Sequence, residues 1–446
     1  MSELERGLLA GLVGGLYLLF CLWCHYRHRR ATARASGDGD ILVAYASQTG
    51  NAIKLAQQSA RALNGRARLM PLNQVDSRLL SQMRQALFVA STCGDGDAPD
   101  NAAVFTRRVL DGKAAKLPHL RFAVLALGDS QYPDFCAFGQ RLHTQLAALD
   151  AQALAGPLLV DSARPAAANQ ALAGWREQLQ QWWGQAPVEA SELPEASTSH
   201  WVLQARSHLN PGSPGEPLFY LRLSAATPQA CSWQPGDIAE VTPPGCDIAR
   251  HYSIASLPED GSLDLVIRRQ RDAAGRPGLA SGWLTRELAC GAGITLRISD
   301  NPLFRPPATD IPLILIGNGS GIAGLRAQLR WRELHGGGRN WLLFGERDPA
   351  SDHPFAGELD HWLESGHLDR IDLAFSRCPE RACYVQDILR ERSTALAAWL
   401  ADGAVIMVCG SRQGMARGVH DTLVDVLGRP ALEALIQQDR YRRDVY

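Results

Sequence analysis

The sequence predicts an α/β plus β-barrel protein: a parallel doubly wound α/β domain, an antiparallel barrel and a second doubly wound domain, behind an apolar N-terminal stretch. Three observations predict this. From 41 to 183, short apolar runs (ILVAYA, ALFVAST, RFAVLALGD, GPLLVD) alternate with amphipathic stretches such as 51–63 and 137–149. Between 201 and 299 the pattern changes to short strands separated by Pro and Gly turns (PGSPGEP, QPGD, TPPG, PEDGS). From Ile311 buried strands and helices alternate again, with PLILIG, NWLLFG, RIDLAFS and AVIMVCG as strand candidates. A chain of 446 residues has the length for two or three such domains.

The first element in order is the stretch 7–26, apolar except for His25 and long enough to cross a bilayer. Only Arg6 is basic before it, beside Glu3 and Glu5, whereas Arg27, Arg29 and Arg30 follow it. That bias predicts a single-pass membrane anchor over 1–30, with everything after it facing the cytoplasm. A cleaved signal peptide would place its basic cluster before a shorter apolar centre. Residues 31–40 (ATARASGDGD) read as a tether. The first α/β domain then spans 41–183, a linker rich in Pro, Ala, Ser and Glu spans 184–200, the barrel spans 201–308 with one helix near 280–289, and the last domain spans 309–446.

Composition excludes more than it assigns. With 45 basic and 46 acidic residues there is no field to draw nucleic acid. Ten scattered cysteines form neither a disulfide framework nor a zinc-like spacing, so no metal is expected.

Chemistry enters at the loops. The strand ILVAYA runs into Ser47, Gln48, Thr49, Gly50 and Asn51 and then a helix, an arrangement that offers backbone amides and a positive dipole end to a phosphate. Two later strands end in Ser91, Thr92, Cys93 and Gly94 (STCGDG) and in Gly128, Asp129 and Tyr132 (LGDSQY), at the carboxyl edge where open α/β sheets bind ligands. These segments, SQTGNA, STCGDGDAPDN and LALGDSQYPDFCAFG, resemble the three FMN-binding segments of the diflavin reductase family. The resemblance implies a flavodoxin-like domain in which residues 47–51 hold the FMN phosphate, the STCGDG loop borders the ring and Tyr132 stacks on it. Cys93 stands where many relatives carry an aromatic.

In the barrel, Arg250, His251, Tyr252 and Ser253 form an RxYS segment, and Gly278 and Ser281 belong to a GxxSxxL at a helix start. A guanidinium suits a pyrophosphate, an aromatic suits a flavin face and a hydroxyl suits its polar edge. The last domain opens with Gly317, Gly319, Ser320 and Gly321 after LILI, a loop that lets a pyrophosphate approach a helix N-terminus. Ser376 and Arg377 follow the strand DLAF, with Tyr384 and Gln386 in YVQD. An arginine beside the adenine ribose is what a 2′-phosphate requires, so NADPH is expected.

From NPLFRPP through GNGSGIAGLR, NWLLFGERD and VCGS to RYRRDVY, the sequence is similar to sulfite reductase flavoprotein subunits. That similarity implies a ferredoxin-reductase-like FAD barrel and an NADP-binding domain. It implies that Ser253, Cys409 and Asp444 line the hydride path, and that Tyr446 covers the flavin face until nicotinamide displaces it.

The chain also departs from the family. Larger members carry a helical connecting insertion, but here only 242–249 separates Val241 from Arg250. Ala382 and Ser411 stand where relatives often carry a lysine and an acid, and Arg381 lies next to the first of these. The expected activity is electron transfer from NADPH through FAD and FMN to a haem protein or another one-electron acceptor at the membrane. Two alternatives are direct reduction of a small molecule such as a ferric chelate from FAD, and a tethered flavin-binding interaction module.

Overall fold

The computed structural model describes residues 39–446 apart from 48–49, 94–95, 113–114, 131–132, 184–197, 227–231, 247–248 and 272–273. The chain divides into two compact units, Met1–Ala190 and Ser191–Tyr446.

The first unit is built on a parallel sheet of β1 (Ile41–Ala46), β2 (Ala67–Pro71), β3 (Gln85–Ser91), β4 (Arg121–Gly128), β5 (Gln152–Ala153) and β6 (Leu158–Asp161). The order is 2-1-3-4, with β5 and β6 both pairing with β4. β1, β3 and β4 are buried along nearly their whole length, which is why their sequences are continuous apolar runs rather than alternating ones. The helix Asn51–Ala62 lays Ala52, Ile53, Leu55 and Ala56 on the sheet and ends where Asn64 and Gly65 take positive φ. On the same unit the helix Pro165–Trp183 is pinned by two indoles: Trp175 Nε1 donates to Ser59 Oγ (3.0 Å) and Trp183 Nε1 to Gln85 Oε1 (2.8 Å). Each aliphatic or aromatic side chain fully buried in this core, such as Leu42, Phe88 or Phe122, contributes about 1.5–3 kcal/mol.

The second unit has two sheets. β7 (Thr198–His208), β8 (Leu218–Ala225), β9 (Ile238–Val241), β10 (Arg250–Ser253), β11 (Leu263–Arg268) and β12 (Gly293–Ser299) form an antiparallel sheet in the order 10-9-12-7-8-11. A bridge between Ile254 and Leu265 joins its two ends and closes the barrel. β7 begins inside the stretch expected to be linker, because Thr198 and Ser199 pair with Arg297 and Leu296. The helix expected near 280–289 is a short α-turn, Leu279–Gly282, continued by a π-turn, Trp283–Glu287. β9 and β10 pair from Val241 to Arg250, so the eight residues 242–249 are all that joins these antiparallel neighbours.

The last sheet is parallel: β13 (Leu313–Asn318), β14 (Asn340–Glu346), β15 (Arg370–Phe375), β16 (Val405–Gly410) and β17 (Tyr441–Val445), in the order 15-14-13-16-17. β17 was not expected as a strand, since its sequence, YRRDV, is mostly charged. It is an edge strand, and its backbone pairing with β16 supplies what its side chains do not.

Barrel and sheet are tied by buried and part-buried polar contacts. Asp352 accepts from Asn210 Nδ2 (2.9 Å) and Ser213 Oγ (2.8 Å), and Arg268 donates to Glu346 (2.5 Å). Arg326 grips Glu358 with two nitrogens (2.6 and 2.9 Å) and the Ala255 carbonyl with a third (2.6 Å).

One expectation is corrected. Among the described residues no helix is long and apolar enough to cross a membrane. The apolar stretch 7–26 and most of the tether lie outside the described residues, so the single-pass assignment, and the localisation drawn from it, is not retained.

Candidate functional site

In both parallel sheets the chain reverses its direction of winding beside the first strand, and the loops at that switch are the ones the sequence singled out. In the first unit these loops follow β1 and β3. Ser47 is buried, and its Oγ accepts from the Gly50 amide (3.0 Å) while its own amide donates to Asn101 Oδ1 (2.9 Å). Gly50 has φ +87°, which a residue with a Cβ takes only under strain, and Asn51 opens the helix. Ser47 and Gly50 thus meet at a helix N-terminus, the kind of place that receives a phosphate.

The second loop is closed by paired amides between Cys93 and Asp97 (3.0 and 2.9 Å), and Ser91 lies in the last position of β3. Thr92 joins this loop to the third, donating its amide to Leu127 O (2.9 Å) and accepting at Oγ1 from the Phe138 amide (3.2 Å). In the third loop, a Cβ at Gly128 would lie 2.6 Å from the Cys136 nitrogen, and Asp129 follows it. Asp161 holds the loop by accepting from the Ser130 amide (3.0 Å). Gln48, Thr49, Gly94 and Tyr132 lie outside the described residues. The arrangement of amides and close backbone approach fits FMN.

In the second unit a buried knot of side chains forms at the switch point. Cys409 pairs in register with Gly317 on one side and Asp444 on the other, and Ser253 reaches them from the end of β10. Ser253 Oγ donates to Asp444 Oδ2 (2.6 Å) and lies 4.0 Å from Cys409 Sγ, which is itself 3.6 Å from Asp444 Oδ2. Burial pushes the Asp444 carboxyl above its usual range, against the hydrogen bonds from Ser253 and Cys409. Burial, then the Asp444 charge, push the Cys409 thiol well up, so it stands as a neutral SH.

Close packing builds the knot. A Cβ at Gly321 would lie 2.1 Å from Cys409 O, and one at Gly324 would lie 2.9 Å from the sulfur. Gly319 takes φ +57°. Asn318 Oδ1 accepts from the Ser411 amide (3.0 Å), tying the two switch-point loops. Tyr446 is half-exposed; its hydroxyl lies 3.2 Å from Ser320 Oγ, and its backbone donates to Gly410 O (3.1 Å) and accepts from Arg412 N (3.0 Å). It is therefore held, not frayed.

The remaining residues fall in two groups. Burial pushes the Tyr252 hydroxyl up to about 12, so it presents a neutral phenol, while Arg250 is exposed beside it. Ser281 Oγ accepts from the Gln270 amide (3.0 Å) and caps its own loop, and the Gly278 amide donates to Gln270 O (2.8 Å). Beyond β15, the Ser376 amide donates to Glu346 O (3.0 Å) and the Arg377 guanidinium donates to Pro214 O (3.0 Å). Tyr384 is exposed and opens the helix Val385–Glu391; Gln386 packs over Gly418.

Asn101, Asn318 and Gly324 stand inside the motifs STCGDGDAPDN and GNGSGIAGLR but had no role assigned there; their contacts with the expected residues come from the fold.

An FMN-type unit joined to a barrel and a nucleotide-type sheet defines an NADPH-dependent flavoprotein oxidoreductase. The flavodoxin family profile matches residues 43–175. The chain is similar to sulfite reductase (NADPH) flavoprotein alpha-components over most of its length. It is 31% identical to that of Thiocapsa roseopersicina, covering 86% of this chain and 83% of the relative. It is 27% identical to that of Vibrio cholerae serotype O1 (92% and 88% covered) and 26% identical to that of Bacillus subtilis (91% and 89%). The chain belongs to the family of sulfite reductase (NADPH) flavoprotein alpha-components. The Vibrio alignment runs over 547 residues, more than the 446 of this chain, so relatives carry stretches that it lacks.

Proposed function

We propose that this chain takes electrons from NADPH and passes them through FAD and FMN to a haem protein, with Ser253, Cys409, Asp444 and Tyr446 forming the hydride-transfer site. The observation that carries this reading is the buried contact of Ser253, Cys409 and Asp444 at the switch point of the nucleotide-type sheet. When bound, the nicotinamide and flavins supply the redox chemistry, a two-electron transfer followed by single-electron steps.

The chain's own residues bind, orient and exclude water. Gly317, Gly319, Ser320 and Gly321 offer the backbone to a pyrophosphate, and Ser376, Arg377, Tyr384 and Gln386 surround the adenosine end with a fixed positive charge. Arg250, Tyr252, Gly278 and Ser281 serve FAD. Residues 47–51, 91–94, 128–129 and Tyr132 serve FMN. Asp444 places a carboxylate where positive charge develops during transfer, and Ser253 orients it. Tyr446, anchored through Ser320 and the Gly410 strand end, acts as a cover that moves when nicotinamide enters. The domain division follows the same assignment: FMN unit 41–183, FAD barrel 201–308 with its first strand starting earlier at Thr198, NADPH domain 309–446.

The test is the flavin released from purified protein, separated into FMN and FAD and counted per chain, together with NADPH-driven cytochrome c reduction. About one of each flavin per chain is expected, as two separate sites imply. FAD alone would sink the relay and leave direct reduction from FAD.

A further inference from the structure

One side chain at the first unit's phosphate loop is used on only one of its two faces. Asn101 closes the second of the FMN-like segments, STCGDGDAPDN, in the turn after Pro99, and the resemblance gave it no role of its own. That turn is fixed in place: Asn73, itself buried, donates from Nδ2 to Asp100 O (3.1 Å) and accepts at Oδ1 from the Val104 amide (3.1 Å). The fixed turn brings Asn101 Oδ1 to the Ser47 amide (2.9 Å), and Ser47 Oγ in turn receives the Gly50 amide (3.0 Å). The acceptor half of Asn101 therefore sets the first and fourth residues of the loop.

The donor half is different. Asn101 Nδ2 is buried and has no hydrogen-bond partner among the described residues. A buried amide N–H without an acceptor destabilises a fold, and native folds leave few such groups. Among the described residues, the loop that Asn101 braces supplies this N–H with no oxygen. A phosphoryl group seated on that loop carries several. An N–H donated to a charged oxygen is stronger than one to a neutral oxygen, so a phosphoryl oxygen is the acceptor this group fits best.

We propose that Asn101 is a phosphate-binding residue of the FMN site, bracing Ser47 with its carbonyl oxygen and donating its Nδ2 hydrogen to the phosphoryl group. The proposal rests on the reading of this unit as the FMN unit and assigns it one further ligand. It also gives the site a means of separating FMN from riboflavin, which lacks the phosphate.

The experiment uses the full chain stripped of FMN, titrated separately with FMN and riboflavin by flavin fluorescence, with retained FAD as the control for folding. Asn101→Asp keeps an acceptor for the Ser47 amide but has no N–H; Asn101→Ala lacks both and brings no negative charge. Both variants are expected to lose roughly tenfold to a hundredfold in FMN affinity, the range for a hydrogen bond to a charged group. Riboflavin affinity should stay within about twofold, since no such bond is involved. Equal losses for the two flavins would make Asn101 a structural brace only and overturn the proposal. An effect confined to Asn101→Asp would also overturn it, because charge repulsion rather than a missing donor would then be the cause. Failure of the unsubstituted chain to bind FMN would instead remove the FMN reading, a result the two variants cannot mimic.

Discussion

The two switch-point sites are built from different materials. In the first unit the phosphate loop is backbone: amides turned by a positive-φ glycine at the start of a helix, braced by Ser47 and Asn101. In the second unit the core of the site is side chain: a hydroxyl, a thiol and a carboxylate from Ser253, Cys409 and Asp444, separated by up to 191 positions in sequence and buried together. On the proposed reading, in which the first site holds a phosphate and the second transfers hydride, the difference follows from the tasks. A phosphate carries its charge with it and needs donors, which backbone supplies at any loop of the right shape. A hydride transfer develops charge at one place, and a dry, prearranged carboxylate stabilises it without reorganising.

That contrast can be broken first at Asp444. Asp444→Asn should slow FAD reduction by NADPH about 100- to 1000-fold, as for loss of one preorganised electrostatic contact, with flavin content intact. Stopped-flow flavin absorbance reads it, and a rate within about threefold of the unsubstituted chain would detach the buried knot from the reaction. The same variant has an opposite effect on stability. The folded chain holds the Asp444 proton more tightly than the unfolded chain, whose carboxyl titrates near 3.8, so stability from this group is present at low pH and is lost as pH rises through the raised pKa. Asn cannot ionise. Asp444→Asn should therefore melt higher than the unsubstituted chain near neutral pH, with the difference vanishing below about 3.8. A lower melting temperature at neutral pH would contradict the sign.

The next effect tests how far close packing shapes the side-chain site. Gly321→Ala drives a methyl into the Cys409 carbonyl and should cost roughly 1–3 kcal/mol by chemical denaturation, with reduced rate but unchanged FMN content. Arg377→Ala should raise the KM for NADPH about tenfold while leaving that for NADH in place, the loss expected for one charge-assisted contact. Equal changes for the two nucleotides would move the 2′-phosphate elsewhere. The smallest effect belongs to the backbone site: Gly50→Ala, forced to φ +87°, should cost about 1–2 kcal/mol and lower FMN content while FAD reduction by NADPH stays near its full rate. If FAD reduction fell as well, the two sites would not be separable in the way their construction suggests.

Much of this was legible from residue order. Helices at 51–62 and 137–148 and the strands β1, β3, β4, β13, β14 and β16 fall within a residue or two of their expected positions, because each carries a long apolar signal. β17 was not legible as a strand. Its charged sequence has no strand signature, and it forms because β16 offers it an edge. The boundary at β7 shifted for a similar reason: Thr198 is polar, and only its pairing with Arg297 makes it strand. The 7–26 stretch, which hydropathy and flanking charge read as a membrane anchor, lies outside the described residues, and among those no helix is long and apolar enough to cross a membrane.

By itself the sequence determined the three-part α/β, barrel, α/β order and the loops that end each strand, since hydrophobic period and glycine placement are local properties of the chain. Only the tertiary structure decided that Ser253, Cys409 and Asp444 share one buried contact, that Asn101 braces Ser47, and that Gly324 leaves room for the Cys409 sulfur. Such contacts depend on sheet order and register, and those are fixed by which strands find one another rather than by any stretch of residues read alone.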